Sequence, residues 1–302
     1  MCAFNYLESQ QIALDNQFLI NKFALSPAYA GYTQSTEAYA TYRKDLVGIE
    51  NAPMKVVFNV NSAPYRNMGV GLALNVQKYG MFNFMSFLGS YAYKVNLSKN
   101  QSVRFGISAG IYNTQFDFSQ SNSDQQTDPL IVSYQIHQKT NFDMGLAMIY
   151  SYKKLNLGVN VQQLLANKIQ SQNSNYVIYS YDRHLIIHGS YLFSVNKDVD
   201  IEPALFAIKT TDKNPAFINL SALVKYKKTV WLGLMGCSQG IIGIDVGGNY
   251  KRCVFNYSFE FSGQGIMAYS KGTHEISIGY SFGDSKLKEL HSTRKPYYRW
   301  QN

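Results

Sequence analysis

Cysteine is close to absent: Cys2, Cys237 and Cys253 are the only three in 302 residues. Three thiols cannot build the disulfide framework of a small secreted domain. Cys237 and Cys253 are read as buried free thiols, although an oxidising compartment would allow them to pair. Proline is scarce, at 7, and charged residues make up only 16%, well below the roughly 25% of ordinary soluble domains. Long apolar runs are missing too. No stretch of about eighteen uninterrupted apolar residues occurs, which excludes a transmembrane helix. The first twenty residues lack the apolar core of a signal peptide, so export would require that the start has been processed, trimmed or misassigned.

The motifs of catalysis are missing as well. There is no G-x-S-x-G nucleophile elbow. "GIIGIDVGGN" is glycine-rich, but it has no following helix, no Lys-Ser/Thr pair and no dinucleotide spacing, so it reads as a strand. His184 and His188 are four apart, a zinc spacing on a helix, yet "RHLIIHGSYLF" reads as strand and brings no carboxylate motif. The reading is a non-enzyme with no cofactor and no metal site. The net charge of +9 comes from Lys and Arg that fall mainly in short turns and the tail. Without a basic helix carrying interleaved aromatics, this is turn and rim charge rather than a nucleic-acid surface.

Tyrosine (24) and phenylalanine (18) are plentiful, and alternation is everywhere. In "VRFGISAGIYN" (103–113), Val103, Phe105, Ile107, Ala109 and Ile111 form one set, and Arg104, Gly106, Ser108, Gly110 and Tyr112 the other. Side chains on a strand alternate between faces, so this strand has one oily face and one wet or crowded face. The mean hydropathy of −0.21 argues against a helical membrane protein only. A transmembrane barrel shows half of its strand residues to lipid, so its average looks soluble.

About fourteen such strands are expected, near 36–48, 54–62, 68–79, 82–96, 101–118, 140–152, 155–163, 183–195, 198–209, 216–226, 229–237, 241–250, 253–262 and 274–282. Connections after even strands are short. Those after the fifth, seventh and thirteenth are long and polar, at 119–139, 164–182 and 263–273. Loops segregated to one end are the mark of an outer-membrane barrel, whereas a soluble sandwich meets water at both ends. Arg104, Gly106 and Ser108 then face the lumen, and Val103, Phe105 and Ile107 face lipid. Tyr79, Phe82, Tyr150, Tyr152, Tyr226, Trp231, Tyr250 and Tyr280 are read as interfacial girdles.

The expected fold is all-β: a transmembrane antiparallel β-barrel of about fourteen strands over 36–282, with both termini periplasmic. Residues 1–35 form a short plug or strap, and 283–302 a basic periplasmic tail. "FLINKFAL" and "AYAGY" within 15–32 are too apolar for a solvated tail, which places them inside or beneath the barrel.

"NQF…NKFALSPAYAGY", then "TYRKDLVGIENAPMKVVFNVNSAP" and "MGVGLALNVQKYG", resembles the PorP/SprF family of Bacteroidetes outer-membrane proteins. The closing "GTHEISIGYSFG" is similar too. Pro27, Ala28, Tyr29, Ala30 and Gly31 stand for one family segment, with Ser26 where asparagine is usual. Arg43, Gly48, Ala52 and Pro53 stand for another, with Leu46 where an aromatic is common. The missing signal peptide and the basic tail are further departures. The resemblance implies membership of the type IX secretion and gliding-motility apparatus. It implies periplasmic partners within the secretion machine, or a secreted adhesin held through its C-terminal domain, and no catalytic residues.

The loops suggest where a partner would dock. Leu130, Ile131, Val132, Tyr134 and Ile136 in one, and Tyr176, Val177, Ile178, Tyr179 and Tyr181 in another, could pair edge-to-edge with an incoming strand. These runs could equally be mere extensions of the barrel above the membrane. The competing functions are a general porin for small solutes and a soluble β-sandwich binding module.

Overall fold

The computed structural model describes residue 16 and residues 18–117, 136–170, 177–211 and 215–282. Fourteen antiparallel strands close into a barrel. They are β1 (Thr36–Lys44), β2 (Met54–Tyr65), β3 (Met68–Tyr79), β4 (Phe82–Ser98), β5 (Gln101–Asp117), β6 (Ile136–Tyr152) and β7 (Leu155–Gln162). Then follow β8 (His184–Tyr191, continued by Phe193–Ser194), β9 (Val199–Thr210), β10 (Phe217–Tyr226), β11 (Val230–Cys237), β12 (Ile242–Tyr250), β13 (Cys253–Phe261) and β14 (Thr273–Phe282). Each strand pairs with its sequence neighbours, and β1 meets β14 from Thr36↔Phe282 to Lys44↔His274, which removes both sheet edges. All fourteen expected strands are present; β2, β4 and β6 run two to four residues longer than expected, β6 taking in 136–139 of the expected loop, and β1 ends four residues sooner.

The alternation decides the two surfaces. Along β5, Phe105 and Ile107 are 51% and 38% exposed, while Arg104 and Ser108 are 2% and 9% exposed. Leu72 and Val70 of β3 face out, while Gly69 and Gly71 face in. The outer belt is apolar and the buried interior is rich in Asn, Ser, Glu and Arg, the reverse of a soluble core and the pattern of a membrane barrel. Among the described residues no helix is long and apolar enough to cross a membrane.

The turns after even strands, 66–67, 99–100, 153–154, 195–198, 227–229 and 251–252, lie at one end, with the start of β1 and the finish of β14. The loops after odd strands lie at the other. β4, β5 and β6 are 17 residues each, longer than the roughly 9–11 needed to span, and form a wall at the loop side. A two-stranded hairpin, Lys168–Gln170 with Val177–Ser180, leans against that wall.

Three of the aromatics expected in girdles face inward instead. Trp231 is 6% exposed, and its indole N–H donates to Asn256 Oδ1 at 2.7 Å. Phe82 packs on Phe116 with ring centroids 5.3 Å apart. Tyr79 sits edge-on to Phe84 at 6.1 Å, and Phe84 lines the lumen. The cause is parity: Trp231 shares its face with Gly233 and Met235, while Val230, Leu232 and Leu234 point out. Tyr152, Tyr226, Tyr250 and Tyr280 are exposed on the outer surface. Cys237 and Cys253 are free thiols, and both are half-buried rather than buried.

Candidate functional site

The lumen is occupied by the chain's own N-terminal segment. At the loop side, the Asn16 amide N–H donates to the Glu275 carboxylate at 3.1 and 3.2 Å. From there the segment descends. Phe18 packs with Ile186, Phe206 and Ile208 on the inner wall, and Leu19 and Ile20 pack against Tyr39, Leu223 and Trp231. A single helical turn, α1 (Lys22–Leu25), sends the Lys22 ammonium to Glu202 at 2.9 Å, and Lys225 reaches the other Glu202 oxygen at 2.6 Å.

Next comes the motif around Pro27, whose conformation follows from its residues. Ser26 is extended and caps a 3-10 turn over Pro27–Tyr29, its hydroxyl accepting from the Ala28 N–H at 3.3 Å. Proline at the first position of a helical turn loses no needed donor. The Ser26 hydroxyl also donates to Asn160 Oδ1 at 2.7 Å, and the Asn160 amide donates to the Leu25 carbonyl at 3.0 Å. Serine thus fulfils the capping role at this position. Arg104 donates to the carbonyl of Ala28 at 2.9 Å and to that of Ala30. Tyr29 is wedged between Tyr32 (5.2 Å) and His188 (5.6 Å).

Glycines permit this docking. A Cβ on Gly106 would lie 2.3 Å from the Ala28 nitrogen, inside any allowed contact. Gly31 has φ +61, and its Cβ would meet the Ser62 carbonyl oxygen at 2.6 Å; its N–H donates to Asn61 Oδ1 at 3.0 Å. A Cβ on Gly69 of β3 would likewise lie 1.9 Å from the Ala30 carbonyl oxygen, so the small lumenal residues of β3 and β5 are the seat of the plug.

The second motif lies at the loop side. Arg43 binds Glu260 through both terminal nitrogens, at 2.7 and 3.3 Å, and reaches Glu275 at 3.2 Å and Asp45 at 2.7 Å. Gly48, Ala52 and Pro53 belong to the β1–β2 loop instead. The Pro53 carbonyl accepts from Asp45, that of Ala52 accepts from Lys44 Nζ, and Gly48 (φ +95) borders the Lys271 stem. Val47 and the 271–272 backbone exchange hydrogen bonds of 2.8 and 2.7 Å, which ties this loop to the one after β13. The two motifs thus occupy different levels, joined through Asn16 and Glu275.

Of the candidate docking residues, Leu130, Ile131, Val132, Tyr134 and Tyr176 lie outside the described residues. Ile136 opens β6 opposite Asp117, and Val177 and Ile178 belong to the hairpin. Tyr179 and Tyr181 turn into the mouth. Their rings are 5.1 Å apart and pack on Phe116, Phe84 and Tyr112, and the Tyr181 hydroxyl bonds Thr114. Burial pushes both phenols above the ordinary tyrosine range, so they stay neutral. Between this hairpin and the plug remains a cavity of about 180 Å³, lined by Asn59, Asn75, Ser90, Tyr112 and Tyr179 among others. His184 and His188 share the lumenal face of β8, and no cluster able to hold a metal occurs among the described residues.

The sequence reading placed Arg104 in the lumen but missed its role, along with Asn160, Glu202 and Lys225. The available signal was a charged or amide side chain at lumenal parity in mid-strand, which needs a partner from outside the sheet.

No curated protein matches the chain significantly. In fold it is similar to the Acinetobacter baumannii outer membrane protein Omp33, with a TM-score of 0.50 and 9% identity over 82% of this chain and 98% of that one. The TodX monoaromatic hydrocarbon channel, as a mutant, gives a TM-score of 0.43 and 10% identity over 82% and 88%. At such identities the likeness is one of fold alone. The family model described as type IX secretion system membrane protein PorP/SprF matches residues 7–280, nearly the whole barrel and its plug. This outer-membrane β-barrel belongs to the type IX secretion system membrane protein PorP/SprF family.

Proposed function

We propose that the protein is a non-enzymatic barrel of the type IX secretion and gliding apparatus. It binds a secreted surface protein, an adhesin held through its C-terminal domain, or a translocon component, and supports that partner's export or surface attachment. The observation that carries this reading is the filled lumen. A barrel crossed by its own segment from Asn16 to Tyr32 has little room for a solute path, and its value then lies in surfaces. The termini of the barrel and the short turns face the periplasm, and the loop side faces out, as in outer-membrane barrels generally.

The loop-side surface suits a protein partner. The hairpin Val177–Ser180 with Lys168–Gln170 is a two-stranded sheet on which a third strand can add, and Tyr179 and Tyr181 hold it rigidly to the wall. Ile266 and Tyr269 in the loop after β13 are 60% and 90% exposed. Deleting 129–136 or 176–181 should leave the barrel assembled but release a large adhesin into the medium. Deletion strains that keep their full surface adhesin would move the docking site to the lumen or the periplasmic face. A wide, steady open channel in planar bilayers would favour the porin reading instead.

A further inference from the structure

The turn end of the barrel is strongly basic. The six short turns hold nine basic residues, Arg66, Lys99, Lys197 and the pairs Lys153–Lys154, Lys227–Lys228 and Lys251–Arg252, against one acidic residue, Asp198. Among the described residues, the loops after the odd strands hold three acidic residues, Asp45, Glu50 and Asp182, and three basic ones, Lys168, Arg183 and Lys271. The turn side therefore carries +8 (nine minus one), while the described loop residues sum to zero (three minus three).

The direction of these lysines matters more than their number. Tyr152, Tyr226 and Tyr250 end β6, β10 and β12 on the outer, apolar surface. The ammonium groups of Lys153, Lys227 and Lys251 each lie 5.3 Å from the centroid of the preceding tyrosine ring. Lysine is thus folded outward over the bilayer boundary, away from the barrel mouth. The backbone is unusual at the same places. Lys153, Lys227, Lys228 and Lys251 have φ of 51, 48, 56 and 55, positions that short hairpin turns normally give to Asn or Gly. Lysine stands where the turn geometry alone would choose another residue.

We propose that this tyrosine–lysine collar binds the phosphates of anionic glycerophospholipids in the leaflet at the turn side. Tyrosine rings sit at the headgroup level and the ammonium groups beside them meet the phosphates. The net charge is spread over five of the six turns, all but 195–198, where Asp198 offsets Lys197. A surrounding leaflet requires such a spread, whereas a single protein face would gather it on one side. This collar is independent of whichever protein binds the loops.

The full chain in vesicles can be tested with spin-labelled phosphatidylglycerol and phosphatidylcholine. The wild type should prefer phosphatidylglycerol on the order of threefold or more at low salt, and lose most of that preference in 1 M salt, where the screening length falls to about 3 Å. The triple change Lys153→Asn, Lys227→Asn and Lys251→Asn suits the turns and should abolish the preference, while the same three positions changed to Arg should keep it. Equal binding of both lipids by the wild type overturns the proposal, as does a preference untouched by the asparagine variant. Crosslinking of these lysines to an acidic soluble protein, with no lipid preference, would assign the collar to a protein partner instead.

Discussion

The guanidinium of Arg104 donates to the backbone carbonyl of Ala28 at 2.9 Å, across the seat left by Gly106. A strand residue thereby grips a segment that precedes the whole barrel in sequence. Both carbonyls that Arg104 serves, of Ala28 and Ala30, belong to fully buried residues, so the hydrogen bonds replace water the segment has given up.

Gly106→Val should therefore release the plug without unfolding the barrel. Its side chain would occupy the space of the Ala28 nitrogen. Proteolysis at Phe23 or Tyr29 should become rapid in the detergent-purified variant, while the heat-modifiable band persists and single-channel conductance rises. Arg104→Met should show the same changes more weakly, since each lost bond to a charged donor is worth about 1.5–3 kcal/mol.

Glu202→Gln should cost more than Lys22→Met. Glu202 separates Lys22 from Lys225, with all three in the lumen, and removing its charge leaves two cations facing one another. Breaking a buried pair from one side costs about 3–5 kcal/mol. Lys22→Met leaves Glu202 its bond to Lys225. Urea unfolding followed by tryptophan fluorescence would rank the two.

Arg43→Lys should fail to replace arginine. Glu260 is held by two parallel nitrogens and Glu275 and Asp45 by others, a fork that one ammonium cannot reproduce. Both variants Arg43→Lys and Arg43→Met should lower the temperature of the heat-modifiability transition. Adding Glu260→Gln to Arg43→Met should restore part of it by removing a stranded carboxylate.

Ile107→Arg should damage assembly more than Ser108→Arg. Ile107 faces the bilayer, where arginine costs about 2–4 kcal/mol near the midplane, while Ser108 borders the cavity above the plug. The fraction of folded band after refolding into detergent measures the difference. Equal yields would contradict the assignment of faces.

The sequence by itself determined the barrel. Fourteen strands, the alternation that sends Ile107 out and Arg104 in, and the sorting of long loops to one end are all local properties. Side-chain direction has a fixed period of two, and turn length is a count. Even the errors at Tyr79, Phe82 and Trp231 were local: reading Trp231 by its parity with Gly233 would have placed it inside. The apolar residues of 15–32 marked a plug or strap, but the tertiary structure alone decided that it runs through the lumen and which side chains hold it. Nothing near Ala28 announces Gly106, 78 positions later, nor does Lys22 announce Glu202, 180 positions away. Those pairings arise only when closure of β1 on β14 brings distant strands around one axis. There, buried charges and amides must find partners that no neighbour in sequence supplies.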